Sequence, residues 1–150
     1  MTLTATPNGN ARTFAGSRVA AAMTSGLISC PPETPLRVVA QIMAAKRVHA
    51  VYVFDYGAED DETVELWGIV SDVDLVAAAL GDLDELTARD SSVTPLLTIA
   101  SDERLEHAAQ LLAENGVSHL AVLDPMTCRP CGVLSTLDIA RVIANEEYPT

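Results

Sequence analysis

Apolar residues recur at helical spacing in two well-separated stretches of the chain. Leu36, Val39, Ala40 and Met43 fall about one turn apart, and so do Leu105, Ala108, Ala109 and Leu112. The first set predicts an amphipathic helix over residues 35–47, with Thr34 as N-cap and Pro35 at the first helical position. The second predicts a helix capped by Asp102 and closed by Gly116. Short continuous apolar runs follow each helix: Ala50–Phe54 and Leu66–Val70 after the first, His119–Leu123 and Cys131–Leu134 after the second. Runs of that length read as strands. Shorter leading strands precede the helices, Gly26–Cys30 (stopped by Pro31-Pro32) and Leu96–Ile99. Ser71 and Ser135 stand where strand pattern gives way to helical pattern. They read as N-caps, with Asp72, Asp74 and Asp138 in first turns where the helix dipole favours carboxylates. The first of these helices is expected to end near Gly81, the second near Asn145. Residues 82–92 join the halves and are expected to be partly helical.

The order of elements is the same twice, and so is much of the wording. Leu36–Asp55 returns 69 positions later as Leu105–Asp124, with identities at Leu36/Leu105, Ala40/Ala109, Gln41/Gln110, Ala44/Ala113, Val48/Val117, Val53/Val122 and Asp55/Asp124. A second signature, Gly-apolar-apolar-Ser-x-x-Asp, stands at 68–74 and again at 132–138, 64 positions on. The second copy is therefore five residues shorter in one loop. A chain duplicated once favours two like units about a pseudo-two-fold axis, a geometry suited to binding more than to a single catalytic centre.

Composition narrows the picture. A chain of 150 residues fits one domain or two small units sharing a core, and a lone repeat of roughly 60 residues would be marginal. Aromatic residues make up only 4% of the chain, which argues against a stacking platform for single-stranded nucleic acid. The formal charge of −12 repels phosphodiester backbones and anionic membranes, so neither nucleic acid nor membrane is an expected partner. No apolar run reaches membrane-spanning length, and the polar start of the chain has no signal-peptide core. Three cysteines, Cys30, Cys128 and Cys131, do not form a secreted disulfide pattern, so a reducing cytoplasm is the expected setting.

Two features invite metal or redox readings. The acidic run from Glu59 to Glu65 lacks the ligand spacing of a calcium loop and reads as a solvated hairpin tip. Cys128-Arg-Pro-Cys131 has the Cys-x-x-Cys spacing, yet it lies beside proline and away from any helix start. Zinc would need two more ligands from Cys30 and three histidines. No metal site and no catalytic residue is assigned: no nucleophile sits beside a base at recognisable spacing, and no phosphate-cradling glycine loop is present.

The paired Gly-apolar-apolar-Ser-x-x-Asp motifs, each preceded by the same strand–helix–strand pattern, resemble the tandem CBS-domain (Bateman) module. The opening Val19-Ala-Ala-Ala-Met-Thr24 is similar to that family's domain start, and the resemblance covers about Val19 to Ala144. It implies an α/β (α+β) fold of two CBS-type β-α-β-β-α repeats packed sheet to sheet with pseudo-two-fold symmetry. The expected division is a disordered arm at 1–17, a first CBS domain at 18–81, a linker at 82–87, a second CBS domain at 88–146 and a tail at 147–150. It also implies a non-catalytic regulatory module that binds an adenosine-bearing ligand (AMP favoured, also ADP, ATP or S-adenosylmethionine), needs no cofactor, forms a homodimer and signals to a separate, unidentified protein.

Ser-x-x-Asp at a helix start supports that role physically. A carboxylate can accept two hydrogen bonds from adjacent ribose hydroxyls, and free backbone N–H groups nearby can face a phosphate. Asp74 and Asp138 are the expected ribose ligands, while Ser71 and Ser135 address phosphate or cap the helix. Ordinary capping explains either motif alone. By resemblance, adenine is read by Leu27, Ile28 and Ser29 with Ala50, Val51 and Tyr52 in the first half. In the second half the equivalents are Leu97, Thr98 and Ile99 with His119, Leu120 and Ala121. His49, preceded by Lys46 and Arg47, occupies a phosphate-contacting position; Ser118 stands there in the second half. Relatives frequently carry proline where this chain has Tyr52 and Ala121, and Tyr52 either stacks on a base or fills space. Cations are scarce in the second half, with Arg129 and Arg141 the candidates, which favours a monophosphate. The alternative reading is a structural dimerisation or interaction module with vestigial clefts.

Overall fold

The structure, a computed structural model, describes residues 13–55, 65–92 and 96–145. Most of the acidic run between the second and third strands of the first copy lies outside the described residues. The chain divides into two compact units, one made of residues 27–97 and the other of residues 1–26 together with 98–150. Both are mixed α/β, each with its own sheet.

In the 27–97 unit, strand β2 (Ser29–Cys30) leads to helix α2 (Leu36–Lys46), strands β3 (Ala50–Asp55) and β4 (Glu65–Ser71), and helix α3 (Asp72–Ala78); helix α4 (Ala88–Ser91) follows. The sheet order is β2-β3-β4, with β2 parallel and β4 antiparallel to β3. Val51, Val53 and Val70 bury one face of this sheet with Leu36, Val39 and Met43 of α2, Cys30 and Ala88. Burial of such side chains contributes about 2 kcal/mol each.

The other unit opens with helix α1 (Val19–Ala22) and strand β1 (Thr24–Ser25). It resumes with β5 (Thr98–Ala100), α5 (Leu105–Asn115), β6 (His119–Leu123), β7 (Pro130–Ser135) and α6 (Thr136–Ala144). Its sheet order is β1-β7-β6-β5. Thr24 pairs with Val133 and Ser25 with Gly132. Glycine is required there, since a Cβ on Gly132 would lie 2.6 Å from the Thr24 carbonyl oxygen.

The duplication extends to details. The register shifts at Val53/Phe54 and at Val122/Leu123, equivalent positions of the two copies. Both long helices close on a left-handed residue, Arg47 (φ 54°) in α2 and Gly116 (φ 61°) in α5. The following amides, Val48 and Val117, return to the Met43 and Leu112 carbonyls at 3.1 and 3.2 Å. Only Gly116 meets that backbone without a Cβ penalty.

The compact units cut across the repeats, because the segment leading into each repeat packs with the body of the other. Leu105 N donates to Ser17 O (3.0 Å), Val19 N to Glu103 O (2.9 Å) and Ala20 N to Ser101 O (2.8 Å). Their counterparts are Leu36 N to Leu86 O (2.9 Å), Ala88 N to Thr34 O (2.8 Å) and Arg89 N to Pro32 O (2.9 Å). Every partner in the second set lies 69 positions from its equivalent in the first, so the exchange is reciprocal. Val19 and Ala88 are the fully buried anchors.

That exchange corrects two expected caps. Thr34 does not cap α2, nor Asp102 α5; Pro35 and Arg104 stand in the cap positions, and neither offers a side-chain bond. The exposed N–H of each helix's first residue is satisfied instead by a lead-in carbonyl, Leu86 or Ser17. The first strand of the second copy is Thr98–Ala100, so Leu97 precedes it. Helix α3 is shorter than expected and reaches Gly81 only through turns, Ala79 N to Val76 O and Gly81 N to Ala78 O.

Candidate functional site

The hairpin register brings most of the expected site residues to one end of each sheet. In the 27–97 unit Ser29 pairs with Tyr52, Ile28 O accepts from Tyr52 N at 2.8 Å, Ala50 faces Ser71, and Val51 faces Val70. In the other unit Thr98 pairs with Ala121, His119 with Ser135, and Leu120 with Leu134. Each hairpin is closed by the same backbone bond, Asp72 N to His49 O (2.9 Å) and Thr136 N to Ser118 O (3.0 Å).

Just past that closure both helix starts form reciprocal caps. Ser71 N and Ser71 Oγ donate to Asp74 Oδ2 at 2.7 and 2.9 Å, while Asp74 N donates to Ser71 Oγ at 3.3 Å. Ser135 N donates to Asp138 Oδ2 at 2.9 Å and Asp138 N to Ser135 Oγ at 3.1 Å. These are capping boxes with aspartate in the glutamate position. A third stands at Thr87 and Asp90, where Thr87 N reaches Asp90 Oδ2 at 2.8 Å, on a helix that no motif singled out. Capping by itself therefore accounts for the Ser-x-x-Asp spacing.

What sets the first two boxes apart is their place at the end of a hairpin; like the third, each spends only Oδ2 of its aspartate on the cap. The cap occupies Oδ2. Among the described residues Oδ1 of Asp74 takes no hydrogen bond, and Oδ1 of Asp138 has Arg141 Nη1 at 3.6 Å. Asp138 is 6% exposed, Asp74 half-buried.

The two ends differ in charge. His49 Nδ1 lies 2.9 Å from Asp72 Oδ2, so the side chain expected to meet a phosphate already has a carboxylate partner. Ser118 Oγ instead meets His119 Nδ1 at 2.9 Å. Lys46 and Arg47 end α2 just before His49.

Tyr52 is 1% exposed, with its ring 5.8 Å from that of Phe54. Of its two expected roles, filling space is the one its burial fits. Val51 points into the helix-facing core, so only its backbone can serve a ligand. Leu27 is exposed, and Ile28, Ser29, Leu97 and His119 are half-buried.

The cysteines do not gather. Cys30 occupies the core position equivalent to Ile99, and burial pushes its thiol pKa up against a hydrogen bond with Thr34. Burial, then Asp124, raises that of Cys131. Raised pKa values reduce the thiolate that redox or metal chemistry requires. No cluster of His, Cys, Asp and Glu suited to a metal occurs among the described residues. No helix among them is long and apolar enough to cross a membrane.

The repeated strand–helix–strand–strand–helix unit and its twin caps define the class: the chain matches the CBS domain family over residues 19–81 and 88–145 and belongs to that family. It is a CBS domain pair. The uncharacterized protein MK0525 of Methanopyrus kandleri is 26% identical over 112 residues, covering 73% of this chain. The chain spans about half (55%) of that relative's length. The CBS domain pair of protein MJ0100, solved with 5'-methylthioadenosine and S-adenosyl-L-methionine, superposes with a TM-score of 0.71 at 20% identity, over 85% of this chain and 96% of that one. CBSX2, solved with AMP, gives a TM-score of 0.64 at 28% identity, over 86% and 97%.

Sequence reasoning missed the third cap, the ion pair of Arg141 with Asp138, and the reciprocal lead-in exchange. The last had a signal: the 69-residue repeat also aligns Val19 with Ala88, upstream of the segment that carries the identities.

Proposed function

We propose that this CBS pair is a non-catalytic regulatory module that binds an adenosine-bearing ligand and reports its presence to a separate protein. The observation that carries the reading is the helix start built twice at the end of a hairpin, where capping uses Oδ2 of Asp74 or Asp138 and leaves Oδ1, beside Arg141 in the second case, to accept from ribose hydroxyls. Ile28, Ser29, Ala50, Val51 and Tyr52, and Leu97, Thr98, His119, Leu120 and Ala121, offer the adenine edge their backbone groups. Ser71 and His49, or Ser135 and Ser118, address the phosphate. The bound relatives named above support the ligand class. The scarcity of phosphate-side cations in the second half, where Arg129 and Arg141 are the candidates, favours AMP over ADP or ATP. The same reading includes a homodimer, no resident cofactor or metal, and a cytoplasmic setting. The net charge of −12 disfavours nucleic acid and membrane as partners.

The test is calorimetry and thermal shift with AMP, ADP, ATP, S-adenosylmethionine, NAD and cyclic dinucleotides on the wild type, Asp74→Asn and Asp138→Asn. Asparagine keeps an acceptor for the cap while removing the charge that grips a diol. Stabilisation by at least one adenosine compound is expected, with affinity falling roughly tenfold in one or both variants. Unchanged affinity in both variants removes the carboxylates from the site. Silence across the whole panel leaves the structural dimerisation or interaction module as the function.

A further inference from the structure

The junction of hairpin and helix differs between the halves in one pair of side chains. In the first half His49 stands just before β3 and Asp72 opens α3, and the backbone joins them, Asp72 N to His49 O at 2.9 Å. Their side chains meet as well. His49 Nδ1 lies 2.9 Å from Asp72 Oδ2, and Val73 N donates to Asp72 Oδ1 at 2.8 Å, so both oxygens of that carboxylate are engaged. In the second half the same two positions carry Ser118 and Thr136, joined by the same backbone bond at 3.0 Å but bearing no charge.

The fold does not call for Asp72. Ser71 and Asp74 make the cap of α3, and Ser135 and Asp138 make that of α6 with threonine at the position of Asp72. The helix dipole favours a carboxylate in the first turn, yet it does not require one there, as Thr136 shows. What Asp72 changes is the ring beside it. A carboxylate only accepts, so His49 donates through Nδ1, and a neutral imidazole that does so presents Nε2 as an acceptor. A phosphate, itself made of acceptors, gains no hydrogen bond from that edge and meets the Asp72 charge next to it. Lys46 and Arg47, exposed at the end of α2, draw anions toward this region but leave the ring committed to Asp72.

We propose that Asp72 is a specificity-determining residue of the first half, turning it from phosphate-bearing ligands toward adenosine compounds with no anionic group beyond the ribose. The second half, with a hydroxyl at both positions, is then the one that takes AMP. The inference rests on the proposed adenosine reading, with His49 at its phosphate position, and assigns each half its ligand.

The test is calorimetry of adenosine and AMP on the full chain, on Asp72→Asn and on Thr136→Asp. Ring-nitrogen NMR shifts of His49 and His119 follow the two halves separately. Asparagine still accepts from Val73 N, and a carboxylate in place of Thr136 suits the first turn of α6, so thermal denaturation should find both variants folded. With the Asp72 charge removed, the His49 shifts should reach half-saturation at roughly fivefold lower AMP, while adenosine affinity stays within about twofold. Thr136→Asp should do the converse, weakening AMP at His119 roughly fivefold and sparing adenosine. An unchanged ratio of AMP to adenosine affinity in Asp72→Asn overturns the inference, and so does intact AMP binding in Thr136→Asp. Equal gains for both ligands overturn it too, because the substitution then acts on the shape of the site and not on its charge. Silence of adenosine and AMP in all three proteins also ends it. Only silence across the wider panel of adenosine compounds ends the proposed function as well.

Discussion

Helices α3 and α6 begin with the same cap and continue in opposite characters. Ser71–Asp74 and Ser135–Asp138 share geometry to within a few tenths of an ångström. Yet Asp138 is buried beside Arg141, whereas Asp74 is half-buried in a stretch with no cation. Beyond the cap, α6 is closer to neutral and α3 exposes an acid-rimmed apolar stripe. Duplication thus preserved what backbone geometry demands at a helix start and let the outward faces diverge. One half carries a local counter-charge, and the other has none between Ser71 and Leu86.

The largest test of this likeness removes a core anchor from each half. Leu36 and Leu105 are equivalent and fully buried. Leu36→Ala and Leu105→Ala should each cost about 3 kcal/mol in urea unfolding. Hydrogen exchange should separate them: Leu105→Ala loosens Val19–Ser25 with the second repeat, and Leu36→Ala loosens Ala88–Ser91 with the first. Loosening confined to the mutated repeat's own lead-in would break the exchange described above.

The caps give a smaller and unequal pair. Asp138→Ala should cost about 2 kcal/mol, because it removes a buried carboxylate together with its bond to the Ser135 amide. Asp74→Ala should cost about 1 kcal/mol, since the Asp74 carboxylate is only half-buried. Equal losses by thermal denaturation would mean that burial does not distinguish the two aspartates.

The smallest effect lies at the helix ends, where Arg47 adopts the left-handed backbone that Gly116 adopts freely. Arg47→Gly should stabilise the chain by up to about 1 kcal/mol, and Gly116→Arg should destabilise it by a similar amount. A loss of stability in Arg47→Gly would show that the guanidinium does more for the fold than its backbone strain costs.

Much of the architecture could be read along the chain because it is local. Helical spacing at Leu36, Val39 and Met43, apolar runs at Ala50–Phe54 and His119–Leu123, and serine at strand-to-helix junctions all act within a few residues. The caps at Ser71 and Ser135 follow from side-chain length and backbone direction alone. The paired Gly-apolar-apolar-Ser-x-x-Asp motifs, each after the same strand–helix–strand pattern, then carried the resemblance to the family. Thr34 and Asp102 misled for the complementary reason: both look like caps, yet a carbonyl from far along the chain reached the helix N–H first.

Tertiary structure decided what depends on distant partners. It placed Thr24–Ser25 on the second repeat's sheet and Ala88–Ser91 against the first repeat's body. It buried Tyr52, tied His49 to Asp72, and left Val76 and Leu80 outside. Periodicity shows that a side chain is apolar and which neighbours share its face. Whether that face is covered depends on segments many residues away, and those arrive only when the chain has folded.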